Sequence, residues 1–167
     1  MYDRLTASDI KKMEEEIEYR KVTLRKNLLE DVKEARSHGD LSENFEYYAA
    51  KKEKNKNESR IRFLERMIKT AEIIDDSSGN DEVGMNDRVE VYVEEDDMVE
   101  SYRIVTTVRA NSLKKLISIE SPLGKALMGK KVGERVEIKV NPSYSYFVVI
   151  KDIEKIEDDS QDKIRSY

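Results

Sequence analysis

Residues 6–37, and again 40 to about 74, contain neither proline nor glycine, the two residues that most readily end a helix. Apolar side chains recur in the first stretch at Ile10, Met13, Ile17, Leu24, Leu28, Val32 and Ala35. In the second they recur at Tyr47, Ala50, Ile61, Leu64, Ile68 and Ala71. Spacings near three and four put each set on one helical face. Thr6 and Asp9 have the spacing of a reciprocal N-terminal cap, and Gly39 supplies the stop. The pattern predicts two antiparallel helices of roughly 30 residues, each about 45 Å long at 1.5 Å per residue, joined near residues 38–40. The apolar seam is densest where Ile10, Met13 and Ile17 lie beside Ile61, Leu64 and Ile68, and it thins toward Lys54 and the turn. A rod anchored at one end, with a polar tip at the other, is the expectation.

Residues 75–81 are polar, contain Gly79 and lack periodicity, so a linker is expected there. Beyond it the period changes to two: Val89/Val91/Val93, Tyr102/Ile104, Leu116 with Ile117 and Ile119, Val136/Ile138/Val140, and Phe147/Val149. Between two of these strands, Ser121 as cap, Pro122 at the first helical position and Gly129 at the end spell one short helix. The fold class expected is α+β, a helical hairpin followed by a small sheet with one helix packed on it. The boundaries are 1–75 for the hairpin, 76–83 for the linker and 84–156 for the sheet domain. Residues 157–167, with nothing to bury, are expected to be a flexible tail.

Composition narrows the chemistry. Charged residues are 40% of the 167-residue chain and hydrophobic ones 38%, too little apolar material for one deep core. No run approaches the roughly 18 apolar residues that span a bilayer, so a soluble, cytoplasmic, monomeric protein without membrane contact is expected. There is no cysteine and one histidine, His38, which removes disulfide frameworks, Cys/His zinc sites and cysteine nucleophiles. His38 itself precedes the helix stop, where a cation interacts favourably with the helix end. The net charge of -5 divides unevenly, +1 over residues 1–74 and -6 over the remainder. Residues 51–69 hold eight cations, Lys51, Lys52, Lys54, Lys56, Arg60, Arg62, Arg66 and Lys69, against Glu53, Glu58 and Glu65. Such a run is either a solvated face laced with pairs such as Lys54/Glu58 or a polyanion surface. Phe45, Tyr47 and Tyr48 beside it suit single-stranded nucleic acid, and RNA in particular.

Two further motifs have competing readings. Residues 124–130, Gly-x-x-x-x-Gly-Lys, resemble a phosphate loop, but Lys131 stands where Ser or Thr must hold magnesium, and the segment is itself helix rather than the loop before one. Its glycines read as turn residues. Asp40 and Glu43 have the spacing of a helix cap. With Ser42 and Asn44 they also concentrate oxygen donors of the kind Mg²⁺ prefers, although two carboxylates cannot complete an octahedron.

The segment HGDLSENFEYYAAKKE at 38–53 resembles the coiled-coil tip of the bacterial transcript cleavage factors GreA and GreB. YRIV at 102–105 and ISIESPLGKALMGKKVGERVEI at 117–138 are similar to that family's C-terminal, FKBP-like domain. The resemblance covers roughly residues 4–156. It implies an accessory factor, not an enzyme alone, whose C-terminal domain binds RNA polymerase while the coiled coil enters the secondary channel. It also implies that Asp40 and Glu43 help hold a shared Mg²⁺ in the polymerase active site, that Ser42 orients substrate or water, and that Lys51, Lys52, Lys54, Lys56, Arg60 and Arg62 face the 3′ end of nascent RNA. Cleavage of backtracked RNA is the activity expected. Phe45 and Tyr48 stand where Ala and His are more usual, and residues 141–146 replace a Gly-containing hairpin. Those departures motivate a second reading, a secondary-channel regulator without cleavage stimulation. A third, an independent prolyl isomerase, needs a pocket walled by Tyr92, Tyr102, Tyr144, Tyr146 and Phe147.

Overall fold

The computed structural model describes residues 3–39 and 44–166. It contains two compact units, residues 10–71 in one and residues 4–9 together with 72 onward in the other.

Three helical segments, α1 (Ala7–Tyr19), α2 (Arg25–Arg36) and α3 (Phe45–Thr70), make the first unit's hairpin. The cap expected from Thr6 and Asp9 forms reciprocally: the Thr6 N–H donates to the Asp9 carboxylate (3.0 Å) and the Asp9 N–H to Thr6 Oγ1 (3.1 Å). The first helix is not uniform, however. A π turn spans Arg20–Leu24, with α-helical backbone on both sides. Periodicity near 3.6 is blind to one extra residue in such a run. The cause lies on α3, where the buried Asn57 donates to the Arg20 carbonyl (3.2 Å) and accepts from the Arg20 guanidinium (2.9 Å). Paired both ways, the amide avoids the penalty of a buried unsatisfied group, about 1–3 kcal/mol.

The partners across the hairpin run in opposite directions along the two strands of helix, Glu16 with Arg60, Arg20 with Asn57 and Ala35 with Asn44. α3 therefore runs antiparallel to the first helix. It begins at Phe45 with Asn44 as its N-cap, the Asn44 side chain accepting from the Tyr47 N–H (3.1 Å). This moves the helix start four residues past the cap that the Asp40/Glu43 spacing suggested. Asp40, Ser42 and Glu43 lie outside the described residues. α3 stops at Thr70, short of residue 74, because Glu72–Ile73 is strand β2, paired in parallel with β1 (Arg4–Leu5).

The second unit carries a five-stranded mixed sheet of order β5-β4-β3-β7-β6, from β3 (Arg88–Val93), β4 (Met98–Val105), β5 (Leu116–Ser118), β6 (Arg135–Asn141) and β7 (Tyr144–Glu154). β4 and β5 are parallel; the other neighbours are antiparallel. The short helix α4 (Pro122–Leu127) starts as expected, with Ser121 accepting from the Gly124 N–H and Pro122 in the first turn. Leu127 joins Val89, Val91, Ile104, Val136, Ile138, Val148 and Ile150 in the core, each such side chain stabilising by about 1.5–3 kcal/mol.

Three sequence expectations change here. On β7 the buried pair is Val148 and Ile150, not Phe147 and Val149. The run Phe-Val-Val-Ile is apolar in both phases, so alternation cannot choose a face; Phe147 instead lies under the Arg135 guanidinium, 3.8 Å from its ring centre. Residues 76–83 belong to the second unit: Val83 is buried and exchanges backbone bonds with Lys130 and Gly129, and the Lys155 ammonium donates to Ser78 Oγ, the Glu82 carbonyl and Asp87. The segment after residue 156 does have something to bury, since the Asp162 carboxylate pairs with Arg103 (2.6 Å) and Arg109 (2.7 Å).

Candidate functional site

The site begins where the hairpin turns. α2 ends in a basic last turn, Lys33 and Arg36. The Ser37 N–H bonds back to Glu34, and Gly39 takes a positive φ of 142°. On the returning strand, Asn44 caps α3 and also donates to the Ala35 carbonyl. Tyr47 accepts from Arg36 (3.3 Å), whose guanidinium lies 5.4 Å from the Tyr47 ring centre. That hydrogen bond, with the nearby cations Lys51, Arg36 and Lys54, outweighs desolvation and holds the Tyr47 hydroxyl below the usual tyrosine range. Tyr48 meets Tyr47 edge-on at 5.5 Å.

His38 has a partner that the sequence did not disclose. Its Nδ1 lies 2.9 Å from the Glu46 carboxylate, in the first turn of α3. The hydrogen bond to Glu46 raises the His38 pKa; exposure leaves only a small opposing desolvation, and the charges of Glu46 and Glu34 add to the rise. The pair fastens the helix-end histidine to the other strand of the hairpin. Eight residues separate the two across the turn, so a scan for partners at helical spacing misses them.

The cations of α3 divide by face. Lys51, Lys52, Lys56 and Arg62 are exposed and Lys54 is half-buried. Arg60 is a correction to the sequence reading: it is buried, with its guanidinium bonded to Glu16 across the hairpin at 2.9 Å, so it does not belong to the solvent-facing set. Running the three-and-four spacing of the seam backwards from Ile61 would have placed position 57 inside and position 60 at its edge. Nor does Lys54 pair with Glu58. Glu58 accepts both arms of Arg25, and Glu65 pairs with Lys21 (2.5 Å). Glu58 and Glu65 are thus taken up by cations of the first helix, while Glu53 is exposed beside the outward-facing lysines of α3. Burial opposes ionisation of Glu16, but hydrogen bonds and charges from Arg60 and Arg20 more than compensate and lower its pKa.

In the second unit, the phosphate-loop resemblance fails on geometry as well as sequence. The Gly124 N–H is already bonded to Ser121 Oγ, and a Cβ there would meet the Ser118 carbonyl oxygen at 2.0 Å. Gly124 is a packing glycine inside α4, while Gly129 (φ 78°) and Gly133 (φ 92°) are the turn residues. The aromatic residues proposed as isomerase walls have other partners: Tyr92 bonds Asp97, Tyr144 bonds Glu95, Lys115 covers Tyr102 and Arg135 covers Phe147.

A hairpin with an outward cationic face, followed by a mixed-sheet unit, is the two-part plan of the chain. Residues 4–73 match the family model described as transcription elongation factor, N-terminal, and residues 78–155 match transcription elongation factor, GreA/GreB, C-term. The transcription elongation factor GreA of Caldanaerobacter subterraneus subsp. tengcongensis is 45% identical over 137 residues, covering 81% of this chain and 87% of that protein. GreA of Bacillus subtilis is 44% identical over 135 residues (81% and 86%), and that of Streptococcus thermophilus 43% over 152 (90% and 94%). Among solved structures, the GreA factor homolog 1 (Gfh1) protein of Thermus thermophilus is 25% identical, covers 93% of this chain and 100% of that one, and has a TM-score of 0.42. GreA/GreB from Nitrosomonas europaea is 26% identical, covers 57% and 79%, and has a TM-score of 0.40. The chain belongs to the GreA/GreB family of transcription elongation factors. No helix among the described residues is long and apolar enough to cross a membrane.

Proposed function

We propose that this elongation factor binds RNA polymerase through its sheet unit, places the hairpin turn in the secondary channel, and stimulates cleavage of backtracked nascent RNA. It acts as a cytoplasmic monomer and as an accessory to the polymerase's own catalysis. The observation that carries the reading is the segment HGDLSEN at the turn between α2 and α3, in a chain matched to GreA/GreB along both halves. Asp40 and Glu43 are hard oxygen donors suited to Mg²⁺. Two carboxylates cannot complete an octahedron, so the polymerase would supply the remaining ligands. Bound there, Mg²⁺ supplies activation of the attacking water and stabilisation of charge on the phosphorus oxygens. The chain's part is to bring the two carboxylates, with Ser42 beside them to orient substrate or water, on a hairpin whose turn is braced by Asn44, His38–Glu46 and Arg36–Tyr47. Lys51, Lys52, Lys54, Lys56 and Arg62 hold the RNA 3′ end by its phosphates.

Stalled polymerase complexes mixed with the protein in Mg²⁺ should release short 3′ RNA fragments. Undiminished release by an Asp40→Asn/Glu43→Gln double variant would overturn the role of these residues. Altered RNA synthesis without fragments would instead establish the second reading, a secondary-channel regulator, which the bulk of Phe45 and Tyr48 at the turn favours.

A further inference from the structure

We propose that Phe45 and Tyr48 form a base-stacking surface for single-stranded RNA, continued along the same face of α3 by Lys52, Lys56, Arg62 and Arg66. The inference deepens the preceding reading and rests on it for the identity of the polymer.

Phe45 exposes 86% of its surface and Tyr48 51%. Rings left so open contribute little to folding, and Phe is a poorer helix former than Ala. The two lie three residues apart, one above the other on the helix surface. Continuing by threes and fours, the same face carries Lys52, Lys56, Ser59, Arg62 and Arg66, all exposed, over about 30 Å of helix axis. No carboxylate interrupts this stripe. Glu46 bonds His38, Glu58 bonds Arg25 and Glu65 pairs with Lys21, and the exposed Glu53 lies about 100° around the helix from Lys52, off the stripe. Lys52, Lys56 and Arg66 make no ion pair with a described residue. The opposite face, with Asn57, Arg60, Ile61 and Leu64, is buried.

Exposed rings at one end of a cationic track are what an unpaired polynucleotide recognises. Phosphates follow the cations, and bases, unlike those of a duplex, are free to stack on aromatic faces. A purely apolar protein partner has no use for the cations, and a duplex has no free base faces for the rings. Stacking also accounts for two bulky residues in a place where folding gains little from them.

The test uses the full chain and a short labelled single-stranded oligoribonucleotide, with binding followed by anisotropy across a salt series. Phe45→Ala and Tyr48→Ala should each weaken binding about tenfold without changing the salt dependence. Lys52→Ala with Lys56→Ala should lower the slope of log affinity against log salt by about 0.7 for each cation. The chain has no tryptophan, so Phe45→Trp places a single reporter at the ring, quenched by the oligoribonucleotide and not by heparin, a polyanion without bases. Equal quenching by heparin, undetectable RNA binding, or ring variants that bind RNA like the parent would overturn the proposal. So would ring variants that keep RNA affinity but lose polymerase binding, which would place the rings against protein. A parent protein that binds RNA through the rings but releases no fragments from stalled complexes would overturn the cleavage reading and support the stacking surface. Undiminished cleavage by variants that also bind RNA normally would do the reverse.

Discussion

The Arg109 guanidinium lies 2.6 Å from the Asp9 carboxylate, and both side chains are wholly withdrawn from water. Asp9 also accepts from Thr106 (2.8 Å) and from the Thr6 N–H, while Arg109 reaches Asn86 (2.6 Å) and Asp162 (2.7 Å). The cluster therefore ties the 4–9 segment and the segment after residue 156 to the sheet unit. Removing Arg109 leaves Asp9 as an uncompensated buried charge, whereas removing Asp9 leaves Arg109 still paired with Asp162. Arg109→Met should destabilise the second unit by about 3–5 kcal/mol and Asp9→Ala by less, each read as a lowered urea midpoint. An undisturbed midpoint in both variants would contradict this account.

Glu16 gives the hairpin an acid-sensitive joint. Its pKa is depressed because hydrogen bonds from Arg60 and Arg20 outweigh the burial that raises it. A depressed folded pKa adds stability above the unfolded value, near 4.3, and that stability disappears as pH falls through the folded value. Thermal scans of the helical circular dichroism signal should show Tm falling below about pH 4, and Glu16→Gln should have a lower Tm at pH 7 but a flatter acid limb.

His38 behaves in the opposite sense. Raised chiefly by its bond to Glu46, it should titrate above the ordinary value of about 6.5 in an NMR pH series, and Glu46→Gln should lower it toward that value. Whatever stability the pair adds is full below the unfolded pKa and lost as pH rises through the folded one. Both side chains are exposed, at 51% and 71%, so the visible consequence should be local, confined to the resonances of the turn. Identical titration in parent and variant would show that the bond does not persist.

Gly124 has no room for a methyl group, since an added Cβ would sit 2.0 Å from a backbone oxygen and 2.9 Å from a backbone carbon of Ser118. Backbone cannot rotate away as a side chain can. Gly124→Ala should destabilise the sheet unit by about 1–3 kcal/mol, despite the better helix propensity of alanine. Gly39→Ala, where nothing lies within 4 Å but φ is positive, should be penalised by conformation alone. Urea titrations followed by circular dichroism compare the two, and a stabilised Gly124→Ala protein would refute the packing argument.

Much was legible from residue order alone, and for a local reason. Capping by Thr6 and Asp9, the Ser121-Pro122 helix start and the switch from period 3.6 to period 2 are written within a few residues of where they act. The candidate site was legible only as composition, cations on one helix and oxygen donors at a turn. Its sorting was not. Arg60 differs from Arg62 in nothing but angle around α3, and that angle matters because Glu16 stands opposite.

The amino-acid order by itself determined a break-free helical hairpin, a following sheet unit with one short helix and the family to which they belong, because periodicity, capping and sequence motifs are properties of neighbouring residues. Tertiary structure decided which cations face water, which phase of β7 is buried, where the first helix takes its π turn, and that Asp9, Arg109 and Asp162 meet. Each of these depends on a partner tens of residues away, and burial removes the water that would otherwise make the alternatives nearly equal in free energy.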